Sequence, residues 1–190
     1  MSVNLLETIE KNSGYPPIQK IDPNTQKPKE HVDKFNQAAI PAVLTGLYRY
    51  VQKDEGAEKI LEVANSTMWV NRFFETEKDS VVRNIAAYGD RTYEETEMQM
   101  NAIANEAIRI VKQNLPANPG IRDVKDLMSN QKKDILLYLV PALNLGQLLH
   151  DETLDDTTNK MEGPVSSMMK NIGSAFTNPV TEEEINTRKE

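Results

Sequence analysis

The chain carries two histidines, His31 and His150, and no cysteine in 190 residues. A nucleophilic triad needs a histidine base beside its nucleophile. His31 follows Glu30 at the expected start of a helix, and His150 closes another just before Asp151-Glu152, where a cationic side chain suits the negative end of the helix dipole. Without thiolates, two imidazoles leave only carboxylates to complete a zinc site. A carboxylate-bridged metal bundle would want Glu-x-x-His pairs, which do not occur. The acid-rich run Asp151, Glu152, Asp155 and Asp156 lacks the glycine and the spacing of a calcium loop and reads as a solvated segment. Glu94 and Glu97 are paired carboxylates of the kind that do acid–base work, but a helix start also calls for them. No Gly-rich phosphate cradle and no Gly-x-Ser-x-Gly elbow is present. The expectation leans toward a non-enzymatic protein with no catalytic residue, no metal ligand and no cofactor.

The elements that would position any site are helical throughout. Leu5, Leu6 and Ile9 form one face of a short helix ending near Ser13-Gly14. Pro16, Pro17, Pro23 and Pro28 then mark an extended strap, since proline lacks an amide hydrogen and pushes its predecessor out of the helical region. The strap is either a surface covering or a docking peptide for a proline-reading partner. From Phe35 to Tyr50 apolar residues recur at spacings of three and four, with a kink or break expected at Pro41. Met68, Trp69, Val70, Phe73 and Phe74 are the densest aromatic cluster, either plain core or the wall of a ligand pocket. Thr76 with Asp79 is a weak capping box opening a helix that stops at Gly89. Thr92 with Glu95 is a proper one, opening the stripe Met100, Ile103, Ala104, Ala107, Ile108 and Val111. Val124, Leu127 and Met128 mark a short helix. Ser129 or Asn130 caps another that runs through Ile135 to Leu149 and is apolar on nearly every side, so it should be the buried central element.

Ile40-Pro-Ala-Val-Leu-Thr-Gly46 and Val140-Pro-Ala-Leu-Asn-Leu-Gly146 share an apolar-Pro-Ala pattern ending in glycine. Each predicts a kinked helix with small residues on one face, packing at close range against the other or in equivalent places of two half-bundles. With no stretch alternating at period two, the fold class expected is all-α: a compact multi-helix bundle with two kinked Pro-Ala-x-x-x-Gly helices. Its organisation reads as 1–30, a short helix and Pro-rich strap; 31–150, the bundle core; and 151–190, an acidic linker, an amphipathic helix and a charged tail.

Three stretches resemble the bacterial YidB-like family of helical proteins of unknown function. They are Ala39 to Leu47 with Gly56-Ala57; Trp69 to Gly89, with its aromatic pair followed by Asp-Ser-Val-Val-Arg-Asn-Ile-Ala; and Val124 to Leu149, where Leu127-Met-Ser-Asn-Gln131 leads into the Pro-Ala segment. The resemblance implies a compact helical bundle in a bacterium. It implies no activity and brings no catalytic residues.

The sharpest candidate for function lies near the C-terminus. After Gly163-Pro164, which can open a helix, Val165, Met168, Met169, Ile172 and Phe176 fall at i, i+3, i+4, i+7 and i+11. Methionines adapt to several surface shapes, and such a stripe packs on its own domain, on a partner or on a bilayer. The net charge of -7 opposes nucleic-acid binding, which needs a concentrated positive surface. Acids near a helix with one lysine on its polar face disfavour anionic lipid. With Glu7 and Glu10 interrupting the first apolar stretch, no secretory signal is evident and a cytoplasmic protein is expected. The reading is a soluble helical protein acting on an unknown protein partner or on itself through the stripe. Its alternatives are peripheral membrane-surface binding by the same helix and a small-ligand carrier with a pocket between the kinked helices.

Overall fold

The computed structural model describes residues 3–21, 32–63, 65 and 68–148. Among these the chain is all-α, as expected: α1 (Leu5–Ser13), α2 (Lys34–Gln52), α3 (Asp54–Glu62), α4 (Trp69–Phe74), α5 (Lys78–Gly89), α6 (Tyr93–Gln113), α7 (Ile121–Tyr138) and α8 (Leu145–Leu148). Single 3-10 turns occupy Glu75–Glu77 and Pro141–Leu143. None of these helices is long and apolar enough to cross a membrane.

Local chemistry sets most of the boundaries. The side-chain oxygen of Asn4 accepts the Glu7 amide to open α1, which stops at Gly14 in the left-handed region (φ 66). Asp33 accepts the Asn36 amide at 2.9 Å to open α2. The Thr92–Glu95 box forms as its sequence predicts, with both reciprocal bonds at 3.3 Å. The Thr76–Asp79 box does not form. The chain instead makes a 3-10 turn with Glu75 at positive φ (46), Thr76 donates to the Glu77 carboxylate, and Asp79 accepts the Tyr93 hydroxyl at 2.6 Å.

The central element is α2 and not the Leu-rich segment. Every residue from Phe35 to Leu47 is buried, and α3, α4, α5, α6 and α7 all pack on it. Its small residues Ala38, Ala39, Ala42 and Gly46 let neighbours approach from all sides. A Cβ at Gly46 would meet the Phe74 ring at 2.8 Å and Phe73 Cβ at 2.9 Å, so this glycine makes room for the aromatics of α4 and not for a second Pro-Ala helix.

The Leu-rich segment divides differently from the expectation. The two helices read around Met128 and Ile135 are one, α7, which continues through Ser129 and Asn130. Val124, Met128 and Ile135 are buried, but Leu137 is 39% exposed. At Leu139 the backbone turns extended (ψ 125), so Pro141 and Ala142 lie in a 3-10 turn outside any long helix. Of the two Pro-Ala segments only the first is inside a helix, and α2 runs unbroken past Pro41. The difference lies in what precedes each proline: Ile40 stays helical within a fully buried run, whereas Val140 is extended (ψ 116), the conformation a residue before proline prefers.

Trp69, Phe73 and Phe74 are core, at 0%, 3% and 2% exposure. Trp69 stacks on Phe73 with centroids 5.8 Å apart, and Tyr50 meets Trp69 edge-on at 6.4 Å. Two asparagines of α6 hold the short α4: Asn105 accepts the Trp69 indole N–H at 2.9 Å, and Asn101 accepts the Val70 amide at 3.1 Å. A lysine of the same helix serves the other end of α3. The Lys112 ammonium donates to the carbonyls of Leu61 (3.1 Å) and Val63 (2.8 Å), and burial lowers its pKa.

At Gly56 a Cβ would run into the carbonyl oxygen of Tyr50, which is backbone and cannot swing aside. Gly56→Ala is expected to destabilise the protein by about 1–3 kcal/mol through overpacking. Urea denaturation of the variant against the parent checks this, and an unchanged midpoint would refute the close α2–α3 junction.

Candidate functional site

Proline has no amide hydrogen, so the carbonyl four residues before it loses its helical donor. Helix α7 ends at Tyr138, so the Leu137 carbonyl is a last-turn acceptor without a helical donor, and Pro141, four residues on, has no amide hydrogen to offer it. That carbonyl accepts the amide of Ile21 at 2.8 Å, from the strap that follows α1. The next carbonyl, Tyr138, accepts the side-chain amide of Gln37 at 3.1 Å. Gln37 itself stands four residues before Pro41. The segments preceding the two Pro-Ala motifs therefore meet, and they meet at the strap.

Gln37 is fully buried. Its Oε1 accepts the Gln19 amide at 2.8 Å while its Nε2 donates to the Gln19 carbonyl at 2.9 Å. One carboxamide thus pairs with both main-chain groups of a single strap residue, as a neighbouring strand would. The strap amide before it, Ile18, donates to the Glu10 carboxylate at 2.7 Å, and the Ile18 side chain is buried. Pro16 and Pro17 are exposed.

A second glutamine repeats the arrangement at the start of α1. Gln131 of α7 is 3% exposed; its Oε1 accepts the Leu5 amide at 3.0 Å and its Nε2 donates to the Val3 carbonyl at 2.8 Å. The Leu5 amide belongs to the first turn, where no intrahelical acceptor exists, so α7 supplies a cap to α1. On the outer side Asn12 donates to Glu106 at 2.9 Å. Arg109 holds that carboxylate through two bonds, which keep its pKa below the usual range.

The surroundings of the strap are acidic. Burial raises the pKa of Glu10, with Glu7 adding to the shift against the lowering effect of the Ile18 amide. Burial also raises Tyr138, and Glu7, Glu10 and Asp134 add to it by repulsion. This is a device for holding main chain. It aligns donors and acceptors against an extended segment, and it gathers no nucleophile–base pair.

No family model, no curated protein and no solved structure matches the chain. The YidB-like resemblance thus rests on its motifs alone.

The stripe residues Val165, Met168, Met169, Ile172 and Phe176 lie outside the described residues, as do His31, His150 and the acids Asp151 to Asp156. Glu97 pairs with Lys78 at 2.8 Å, and Glu95 completes the cap of α6. Among the described residues no group of three His, Cys, Asp or Glu side chains is placed to hold a metal ion. Thr45, Tyr48, Lys132, Ile135 and Leu136 line a shallow groove between α2 and α7 that is open to solvent and encloses no ligand-sized cavity.

The glutamines escaped the sequence reading although both carried a signal. Gln37 stands immediately before the small and apolar run Ala38 to Leu44, and Gln131 falls on the stripe Val124, Met128, Ile135 at spacings of four, three and four.

Gln37→Ala would leave the Gln19 amide and carbonyl and the Tyr138 carbonyl without this partner, at an expected cost on the order of 2–4 kcal/mol. Hydrogen exchange at Gln19 and Ile21 should accelerate selectively, and unchanged protection would show that the carboxamide does not hold the strap. Glu10 gives a pH signature. Its folded-state pKa is raised, so its ionisation opposes folding and stability falls as pH rises through the folded value. Glu10→Gln should therefore gain melting temperature relative to the parent near neutrality and lose that gain below the carboxylate range; a pH-independent difference would refute the assignment.

Proposed function

We propose that this chain is a non-enzymatic binding protein of the bacterial cytoplasm that acts by associating with a protein partner or with itself through the segment bearing Val165, Met168, Met169, Ile172 and Phe176. The observation that carries this reading is the spacing of those five residues, which gathers a Met- and Phe-bearing apolar face on one side of a helix between two acid-rich segments. Two features of the described body support it. The aromatic cluster that would have walled a ligand pocket is packed ring against ring, with Trp69 fully buried. Of the carboxylates singled out for acid–base work, Glu97 is committed to an ion pair with Lys78 and Glu94 lies in the first turn of α6. The motif likeness to the YidB-like bundles suits a helical scaffold and adds no activity.

The stripe is acidified to test this. Met168→Glu with Ile172→Glu should leave thermal unfolding of the body within about 0.5 kcal/mol of the parent, as exposed substitutions do. The same variant should lose any concentration-dependent increase in sedimentation coefficient that the parent shows. Truncation after Lys160 should behave alike. A large loss of stability in either variant would make the stripe part of the core and overturn the reading. Flotation of the parent, but not the variant, with phosphatidylcholine vesicles would move the function to a membrane surface.

A further inference from the structure

Lys112 stands in the last turn of α6, where its Nζ donates to the carbonyls of Leu61 at 3.1 Å and Val63 at 2.8 Å. Among the described residues it forms no ion pair. The charges nearest to this contact in sequence are paired with one another: Arg109 of α6 with Glu106 at 2.6 Å, and Lys59 of α3 with Glu62 at 3.0 Å. No carboxylate therefore offsets the water that half-burial removes, and burial lowers the lysine's pKa. The two carbonyls take two of the three protons that an ammonium carries. Loss of the third leaves a neutral amine whose remaining N–H groups are both satisfied and whose lone pair points away from the carbonyls. The side chain is only half-buried, so its nitrogen stays within reach of a small molecule.

We propose that Lys112 is an acyl-acceptor site, at which a small activated acyl donor, an acyl phosphate or an acyl thioester, transfers its acyl group to the amine seated on the two carbonyls. The ammonium first gives a proton to water. The amine nitrogen then attacks the acyl carbon, and the bond from that carbon to the phosphate oxygen or the thiol sulfur breaks. The leaving group departs with the electron pair, one N–H proton passes to it or to water, and a secondary amide remains. Desolvation is a recognised means of making a lysine nucleophilic, and here two directed hydrogen bonds also fix the orientation of the nitrogen. The product has one N–H where the amine offered two. Acylation thus strips the carbonyl of Leu61 or Val63 of its lysine donor and removes a positive charge from the C-terminal end of α3, loosening that end. The site uses none of residues 165–176, so it stands or falls apart from the proposed function.

The full-length protein is incubated at mildly alkaline pH with acetyl phosphate and, separately, with acetyl-coenzyme A, and acetylation of each lysine is followed by mass spectrometry. The expected result is an initial rate at Lys112 several-fold above those at the exposed Lys11, Lys20 and Lys34. The donor that gives the larger excess identifies the source of the acyl group. The excess should vanish in concentrated urea, and the rate at Lys112 should rise at a lower pH than the rate at Lys11. Amide exchange across α3 should be faster in the Lys112-acetylated fraction than in the unmodified one. A rate at Lys112 no higher than at the exposed lysines with either donor overturns the proposal. An excess that survives unfolding overturns it equally, since it would come from the local sequence and not from the two carbonyls.

Discussion

Helix α7 ends at Tyr138, and the last-turn carbonyls it leaves without helical donors organise one side of the molecule. The carbonyl of Leu137 has no helical partner within α7, so it must be satisfied from elsewhere or be left at a cost of about 1–3 kcal/mol when buried. The amide of Ile21 satisfies it. A helix end that would otherwise be a defect becomes an attachment point, and the attachment draws the N-terminal strap against α2 and α7. Gln37 completes the junction by bonding to the strap and to the carbonyl of Tyr138 together.

The same logic recurs wherever short elements meet long ones. Gln131 caps α1, Asn101 and Asn105 hold α4, and Lys112 covers the carbonyls at the end of α3. Gln131, Asn101 and Lys112 each close an end with unsatisfied backbone groups by a side chain from a long helix, and Asn105 anchors the Trp69 indole beside one of them. Short helices are marginal alone, because nucleation is costly and few internal bonds repay it. α4, with six residues, keeps its position through aromatic packing and these borrowed bonds. Such caps are directional, so they fix register in a way that apolar contact does not.

Features that depend on near neighbours in sequence were legible. The Thr92–Glu95 box, the stripe of α6, the stop at Gly14 and the all-α class follow from spacing and capping rules. Features that depend on which helix ends up in the middle were not. The Leu-rich run looked central because it is apolar all round, yet a proline after an extended residue divides it. The more polar α2 takes the centre because its alanines and Gly46 admit neighbours on every side. The duplicated Pro-Ala pattern was visible as a repeat, but its consequence was not, since one copy lies within a helix and the other beyond a helix end. What it places together is the residue pair four positions upstream, Gln37 and Leu137.

A leucine at position 37 would match the apolar character of the rest of α2, which raises the question of why a glutamine is buried there. Burying an amide is costly unless every hydrogen bond it offers is taken. Here the oxygen takes the Gln19 amide, and the two N–H groups reach the carbonyls of Gln19 and Tyr138. A leucine would fill similar space without telling one strap residue from its neighbour. A slip by one residue would turn Ile18 out of its buried place and put Pro17 or Gln19 there, so register matters. The buried carboxamide therefore sets the strap's alignment more than it adds to net stability.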